Sequence, residues 1–372
     1  MNNGLKKELA LLSLVLAGVT YKKKTLSLAL AATAAGLYIS AKSKLKNFNS
    51  RSVLITGGSR GLGLSLAWNF LDRGARSVTL LARDHDELIR AQKILLNDFP
   101  LALVFIHVCD ITDSVNLSRA FGQAIIDMGS IDILVNNAGI MMVSPFTSTE
   151  KSDYEAHMNL HLYAVIETVQ KIFPHFKSRG GGQILNICSM GGKVAVPHML
   201  PYDASKFALA GFSQGVASEL APHNITVTTA YPLPMRTGSA IQAVFKGDHE
   251  KEFLWFESID NLPLLSMSAD KAAKIILDGV SDGKTEVLLA PIAKVRNIMA
   301  ALLPETFNRL MAFVAARLPQ GDSKIRKTGQ QCSQEFDRAF LLKPLQARAQ
   351  AAEEMYNQYP KTDAELNMGL KH

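Results

Sequence analysis

Cysteine is scarce in this chain. Only Cys109, Cys188 and Cys332 occur in 372 residues. They show neither paired nor metal-ligand spacing, which excludes a disulfide framework and fits a reducing compartment. Internal repeats and low-complexity tracts are also missing, which excludes solenoids and compositionally biased disordered chains. Most of the chain carries no surplus of charge. The formal net charge is +7, but residues 1–51 hold nine lysines and arginines against the single acid Glu8, so the rest sums to about −1. A near-neutral body has no electrostatic footprint for nucleic acid.

Long apolar runs are confined to the N-terminus. Residues 9–21 and 25–41 are apolar and are separated by Lys22, Lys23 and Lys24. As a helix the second run is about 26 Å long, slightly short of the roughly 30 Å hydrocarbon core. It could cross with local thinning or snorkelling lysines. Three readings compete: an anchor that spans or forms a hairpin, an interfacial segment, and a cleaved signal peptide. The lysine triplet stands where a signal peptide needs a small-residue cleavage site. Basic flanks on an apolar segment suit an anionic membrane surface. The expectation is membrane association through residues 5–41. Lysines at both ends leave the orientation unset.

Beyond residue 50 the pattern changes to alternating strands and helices. Strands are predicted over 52–56, 77–82, 103–108, 131–136, 182–189 and 225–230. Helices are predicted over 62–72, 86–98, 114–128, 152–179 and 204–221. Apolar strands between helices predict an α/β fold, a Rossmann-type doubly wound parallel sheet covered on both faces. Residues 238–268 are mixed and aromatic, with Phe245, Phe253, Trp255 and Phe256. A helix over 269–282 and a last strand over 286–290 follow. Apolar helices are predicted over 295–303 and 306–318, then a polar loop over 319–331 and a polar, helical final forty residues. The expected division is an N-terminal membrane-associated segment at 1–48, a catalytic domain at 49–290 and a C-terminal helical extension at 291–372.

A glycine-rich turn joins the first strand to the first helix: Thr56-Gly57-Gly58-Ser59-Arg60-Gly61-Leu62-Gly63. Glycines there let backbone approach a pyrophosphate, and the helix N-terminus supplies N–H donors. Arg60 lies in the turn, and Arg83 follows the second strand, where an acid would hold the ribose 2′-hydroxyl of NAD. Guanidinium groups suit a 2′-phosphate, which favours NADP. Asp84, the next residue, keeps NAD open. His157 and His161 are four apart, as in a helical metal pair, but no third ligand accompanies them, so they read as core or surface histidines.

Tyr202 and Lys206 are also four apart and share one helix face. A tyrosine ordinarily titrates near pH ~10. A neighbouring ammonium favours the phenolate, so Lys206 is expected to lower the Tyr202 pKa toward that of a working acid/base. Ser189, at the end of the fifth strand, can donate to an oxygen that gains negative charge as hydride arrives.

These features together resemble the short-chain dehydrogenase/reductase family. The turn is similar to its Thr-Gly-x-x-x-Gly-x-Gly signature. Asn136-Asn137-Ala138-Gly139 ends the fourth strand as in that family, and Tyr202-Asp203-Ala204-Ser205-Lys206 matches its Tyr-x-x-x-Lys motif. The match runs over about residues 50–237. The resemblance implies Ser189, Tyr202, Lys206 and Asn159 as catalytic residues, with Lys206 also on the nicotinamide ribose and Asn159 holding a relay water. It implies cofactor contacts from Thr56, Gly57, Ser59, Arg60, Gly61, Leu62 and Gly63 in the turn. Further contacts are implied from Arg83, Asp110, Asn136, Ala138, Gly139, Tyr202, Lys206, Pro232 and Thr237. Leu233 stands where the family has glycine after Pro232, which questions the local backbone.

The expected activity is NADP(H)-dependent interconversion of a ketone and a secondary alcohol. The aromatic segment and the anchor point to a hydrophobic, lipid- or steroid-like substrate, with the catalytic domain facing the cytoplasm. The competing class is a nucleotide-binding redox sensor or scaffold without turnover. An epimerase or dehydratase needs a further acid/base that the sequence does not identify. Family members commonly pair through the helices matching 152–179 and 204–221, so a homo-oligomer is a further expectation.

Overall fold

The computed structural model describes residues 47–263, 266–335 and 343–359, with Leu9, Ala10 and Ser13. Apart from those three positions, the expected anchor at residues 5–41 lies outside the described residues. The body begins with β1 (Ser52–Thr56), α1 (Gly61–Asp72), β2 (Ser77–Ala82), α2 (His85–Asp98), β3 (Leu103–Val108) and α3 (Ser114–Met128). It continues through β4 (Ile133–Asn136), β5 (Met142–Val143), α4 (Lys151–Met158), α5 (Ala164–Ser178), β6 (Gly182–Ile187), α6 (Leu200–Leu220) and β7 (Ile225–Tyr231).

Seven strands form one sheet in the order β11-β7-β6-β4-β1-β2-β3, all parallel, where β11 is Glu286–Leu288. Strand period explains the layers, because successive side chains point to opposite faces. Val53 and Ile55 join one core cluster while Leu54, between them, joins the other; Ile133, Leu134 and Val135 divide in the same way. Burying each such side chain contributes about 1.5–3 kcal/mol. The chain runs outward from β1 to β3 and then returns to β4 on the other side of β1. That reversal opens a crevice at the carboxyl ends of β1 and β4, the place where open α/β sheets bind ligands.

Local chemistry sets the helix starts. Asp84 caps α2 by accepting from the Glu87 amide, and Asp113 caps α3 by accepting from those of Val115 and Asn116. The helix predicted over 152–179 is interrupted. Asn159–Tyr163 forms a π turn between α4 and α5, closed by the Ala164 amide on Asn159 O. Such insertions are frequent at functional sites. Hydrophobic period alone does not report them, because one extra residue leaves the apolar stripe nearly intact.

The aromatic segment resolves into β8 (Met235–Arg236), β9 (Val244–Phe245), α7 (His249–Asn261) and β10 (Met267–Ser268), followed by α8 (Ala269–Ser281). After β11 come α9 (Pro291–Leu302) and α10 (Pro304–Ala315), each beginning at a proline whose missing N–H costs nothing there. The loop predicted over 319–331 is only partly a loop. It ends in β12 (Lys327–Thr328) and α11 (Gly329–Glu335), and α12 (Lys343–Met355) follows.

β12 pairs antiparallel with β9, which pairs parallel with β5, so the C-terminal extension is stitched to the body. A buried ion cluster reinforces that seam. The fully buried Lys246 donates to Asp153 Oδ2 at 2.7 Å and Glu150 Oε2 at 3.0 Å, and Arg326 binds the other Asp153 oxygen. Removing one partner from such a cluster strands a buried charge, the costly way to break it.

Candidate active site

The glycine-rich turn takes its shape from close approach. Gly57 has φ +63°, and a Cβ there would lie 2.8 Å from Ala138 Cα; one on Gly63 would lie 2.1 Å from Gly57 O. Any side chain at either position pushes the turn away from β4. Thr56 is buried. Its hydroxyl accepts from the amides of Asn137 and Ala138 and donates to Val135 O, which ties the ends of β1 and β4 together.

A cleft of about 1400 Å³ opens over these strand ends. Of the sequence-predicted residues it brings together Gly57, Ser59, Arg60, Gly61 and Leu62 at one end with Ser189, Tyr202, Lys206 and Asn159 at the other. Arg83, Asp110, Ala138, Gly139, Pro232 and Thr237 line it as well. Thr56, Gly63 and Asn136 do not. Thr56 and Asn136 are hydrogen-bonded into the frame beneath it. Asn136 is buried between strands, donating to Asn186 Oδ1 at 2.9 Å and accepting from the Thr168 hydroxyl at 2.8 Å. Buried amides are paired in this way because an unmade hydrogen bond is costly.

At the phosphate end, Glu87 organises the turn. It pairs with Arg60 Nη1 at 2.5 Å and accepts from Ser59 Oγ at 2.9 Å. One of the two expected guanidinium groups is therefore already partnered. Arg83 is exposed at the cleft and has no carboxylate partner among the described residues. Asp84 has an oxygen engaged in capping α2. Asp110 accepts from the amide and hydroxyl of Thr112 through one oxygen. Leu233 is absent from the residues of positive φ, so leucine replaces the family glycine without backbone strain.

At the other end, Ser189 stands at the N-terminus of a short 3₁₀ turn after β6. Its Oγ accepts from the Gly191 amide at 2.9 Å, which directs its proton away from that amide and toward Tyr202 in the cleft. Lys206 is buried and donates to Ile187 O at 3.1 Å; its Nζ lies 5.6 Å from the Tyr202 ring centroid. Burial pushes the Lys206 ammonium down to about 8. Burial also raises the Tyr202 phenol well above its ordinary range, opposed by a hydrogen bond with Ser189 and reinforced by the neighbouring Cys188, Asp203 and Asp260. This corrects the expectation that Lys206 draws the phenol down. Desolvation, which disfavours the phenolate, is the largest cause of that shift.

Several contributors escaped the sequence reading. His161 is fully buried and stands edge-on to the Tyr202 ring, with centroids 5.6 Å apart. Ser205 Oγ donates to Tyr202 O, so it accepts from His161 Nδ1–H at 2.7 Å; His161 Nε2 then accepts from the Ile140 amide at 3.1 Å. Every polar atom of the ring is satisfied in the neutral form, and burial holds its pKa well below the usual histidine range. His161 thereby links the loop after β4 to the helix that carries Tyr202. Asp203 and Asp260 also line the cleft, and burial pushes their carboxyls up to about 7 and about 8. No sequence signal marks them, because their upward shifts come from tertiary burial.

The aromatic segment divides between two roles. Phe245 and Phe253 pack in the core, whereas Trp255 and Phe256 border the cleft. Trp255 is oriented by its indole N–H on Glu252 Oε2 at 2.6 Å, and Glu252 also meets His198.

Comparison with known proteins follows this geometry. The family model for short chain dehydrogenase matches residues 51–245. The chain is 32% identical over 251 residues to the dehydrogenase/reductase SDR family protein 7-like of Anopheles gambiae, covering 67% of this chain and 77% of that one. It is 31% identical over 188 residues to 3-dehydrosphinganine reductase of Danio rerio, covering 50% and 56%. A solved short chain dehydrogenase from Burkholderia cenocepacia in complex with NADP superposes with a TM-score of 0.55 at 26% identity, covering 71% of this chain and 98% of that structure. The chain belongs to the short-chain dehydrogenase/reductase family, the NAD(P)-dependent oxidoreductases that act on CH–OH groups.

Proposed function

We propose that this chain is a membrane-held, NADP(H)-dependent reductase of a hydrophobic ketone. The observation that carries the reading is a single cleft holding a glycine-rich turn at one end and Ser189, Tyr202 and Lys206 at the other, with Trp255, Phe256 and Ile259 on its wall. The residues fit a dinucleotide: Gly57 and Gly63 have no room for side chains, and the buried Lys206 stands with Tyr202 at the far end of the cleft. Bound NADPH supplies the hydride. Ser189 then donates to the substrate oxygen, and Tyr202 gives that oxygen its proton. A phenol held protonated by burial is competent to give a proton to a nascent alkoxide, which favours reduction as the working direction. Asn159, at the π turn and open to the cleft, is placed to hold a water that returns the proton.

Arg83 together with the Glu87-oriented Arg60 supports a 2′-phosphate and so NADP over NAD. The likeness to 3-dehydrosphinganine reductase supports a long-chain substrate. The test is oxidation of NADPH and NADH by the purified protein against long-chain and cyclic ketones. Turnover with at least a roughly tenfold preference for NADPH in kcat/KM is expected. Equal kcat/KM for the two cofactors sinks the arginine argument. Binding without turnover across the panel points instead to a sensor.

The membrane part of the reading rests on the apolar, lysine-flanked residues 5–41 and on α9 and α10. Among the described residues no single helix is long and apolar enough to cross a membrane, but α9 and α10 form a pair bent by 117°. Ile298, Leu302, Leu303, Leu310 and Phe313 on that pair are exposed, a surface suited to lipid. We place the catalytic body on the cytoplasmic side, where the reduced cofactor is supplied. Deleting residues 1–46 is expected to move the protein from the membrane fraction to the soluble one. A deletion variant still in the membrane fraction would remove the anchor from the proposal.

A further inference from the structure

Three residues that follow α12, outside the family's matched region, grip the glycine-rich turn and the segment after β8. Tyr356 O accepts from the Gly61 amide at 3.0 Å. Asn357 Nδ2 donates to Ser59 O at 2.8 Å and to Glu87 O at 3.1 Å, while its Oδ1 accepts from Arg90 Nε at 3.1 Å. Gln358 Nε2 donates to Thr237 O at 2.7 Å, and its own carbonyl accepts from Gln242. Asn357 is fully buried with φ +59°, a left-handed conformation that asparagine tolerates better than most residues. The segment is held at its root by the buried Tyr356, packed with Ala269 and Ala352, its hydroxyl accepting from the Asp270 amide. Gly238 makes room for α12: a Cβ there would lie 2.6 Å from Glu353 Cα.

The positions gripped are Ser59, Gly61, Glu87 and Thr237, all at the cofactor end of the cleft. None of these hydrogen bonds reaches Ser189, Tyr202 or Lys206. Gln358 itself lines the cleft. Its buried Oε1 has no partner among the described residues, which leaves an acceptor for a ligand hydroxyl. Glu87, held through its carbonyl by Asn357, is also the carboxylate that orients Arg60 and Ser59.

We propose that Asn357 and Gln358 form a C-terminal clasp that fixes the glycine-rich turn in its binding shape and sets dinucleotide affinity. The clasp acts on cofactor binding and leaves the hydride step alone. The inference rests on the NAD(P) site proposed above. A turn held by two hydrogen bonds from a distant segment, with two more on the neighbouring Glu87 and Thr237, is preorganised, and loosening it charges the ordering cost to the cofactor when it binds.

The test uses the full chain in detergent with Asn357→Gly and Gln358→Ala. Glycine keeps the left-handed backbone and removes only the amide. Cofactor Kd is read by quenching of protein fluorescence with NADPH, kcat at saturating NADPH, and thermal melting without cofactor. Asn357→Gly loses two donated bonds and one accepted bond and is expected to weaken NADPH about tenfold; Gln358→Ala is expected to weaken it about threefold. In Asn357→Gly, whose lost side chain does not line the cleft, kcat at saturation stays within about twofold of the parent. Unchanged Kd in both variants overturns the clasp, as does a fall in kcat at saturation with Kd intact. A parent chain that binds neither NADPH nor NADH overturns the cofactor site itself, a result separable from failure of the clasp.

Discussion

Replacing Tyr202 with phenylalanine is expected to lower kcat by at least about 10³-fold, within the range that positioned acid/base groups contribute. NADPH affinity should stay within about twofold of the parent, because the lost hydroxyl works on the reacting carbonyl. The substitution removes one oxygen and keeps the ring that stands against His161. The helix should therefore not move, since its link to the loop after β4 runs through Ser205 and His161 and not through the phenol. Fluorescence titration with NADPH, together with single-turnover kinetics, separates binding from chemistry. Residual turnover above about one part in a hundred would place the proton donor elsewhere, and the carboxyls of Asp203 and Asp260, whose pKa burial raises, are the next candidates in the cleft.

Lys206→Met is expected to act in opposite directions on activity and stability. Activity falls by about 10³-fold or more, since the ammonium is the positive group beside the reacting end of the cleft. Stability at pH 7 rises. The Lys206 pKa is ordinarily 10.5 and burial lowers it to about 8 in the fold. Folding at pH 7 therefore carries a buried charge that the unfolded chain keeps in water. The cost is fully present below pH 8 and fades as pH rises toward 10.5, where the unfolded chain loses the proton too. That interval corresponds to at most about 3 kcal/mol, reduced by the hydrogen bond lost at Ile187 O. A rise in melting temperature of a few degrees at pH 7, shrinking by pH 10, is the expected measurement. In the parent protein, kcat/KM for reduction should fall as pH rises past about 8, because the competent form has Lys206 protonated. A melting temperature lowered at pH 7 would mean that the site stabilises this charge more than burial penalises it. Activity at odds with local stability is a recurring feature of catalytic sites.

How much of this was legible in the residues can be judged position by position. The turn from Thr56 to Gly63 announced itself because glycine is the only residue that permits such approach, and the motif sits between a β-branched run and an apolar-periodic run. Tyr202 and Lys206 were readable because a spacing of four fixes two side chains on one helix face whatever the rest of the fold does. The strands could be counted because strands buried on both faces must be apolar throughout. The π turn at Asn159 was invisible, since the helical stripe continues across it. The upward shifts of Asp203, Asp260 and Tyr202 were out of reach because desolvation depends on what packs from elsewhere in the chain.

The sequence by itself determined the parallel α/β sheet, the glycine-rich turn and the candidate side chains of the site, because each depends on short-range rules: strand period, helix spacing and the steric freedom of glycine. Only the tertiary structure decided which candidates touch the cleft. It bonded Thr56 and Asn136 into the frame, paired Arg60 with Glu87, and put Phe245 and Phe253 in the core and Trp255 at the cleft. It also carried Asn357 some 300 positions along the chain to Ser59, a separation of |i−j| = 298. The physical reason is the same in each case. Solvation and hydrogen-bond partnership are properties of a residue's surroundings, and the surroundings come from segments far away in sequence.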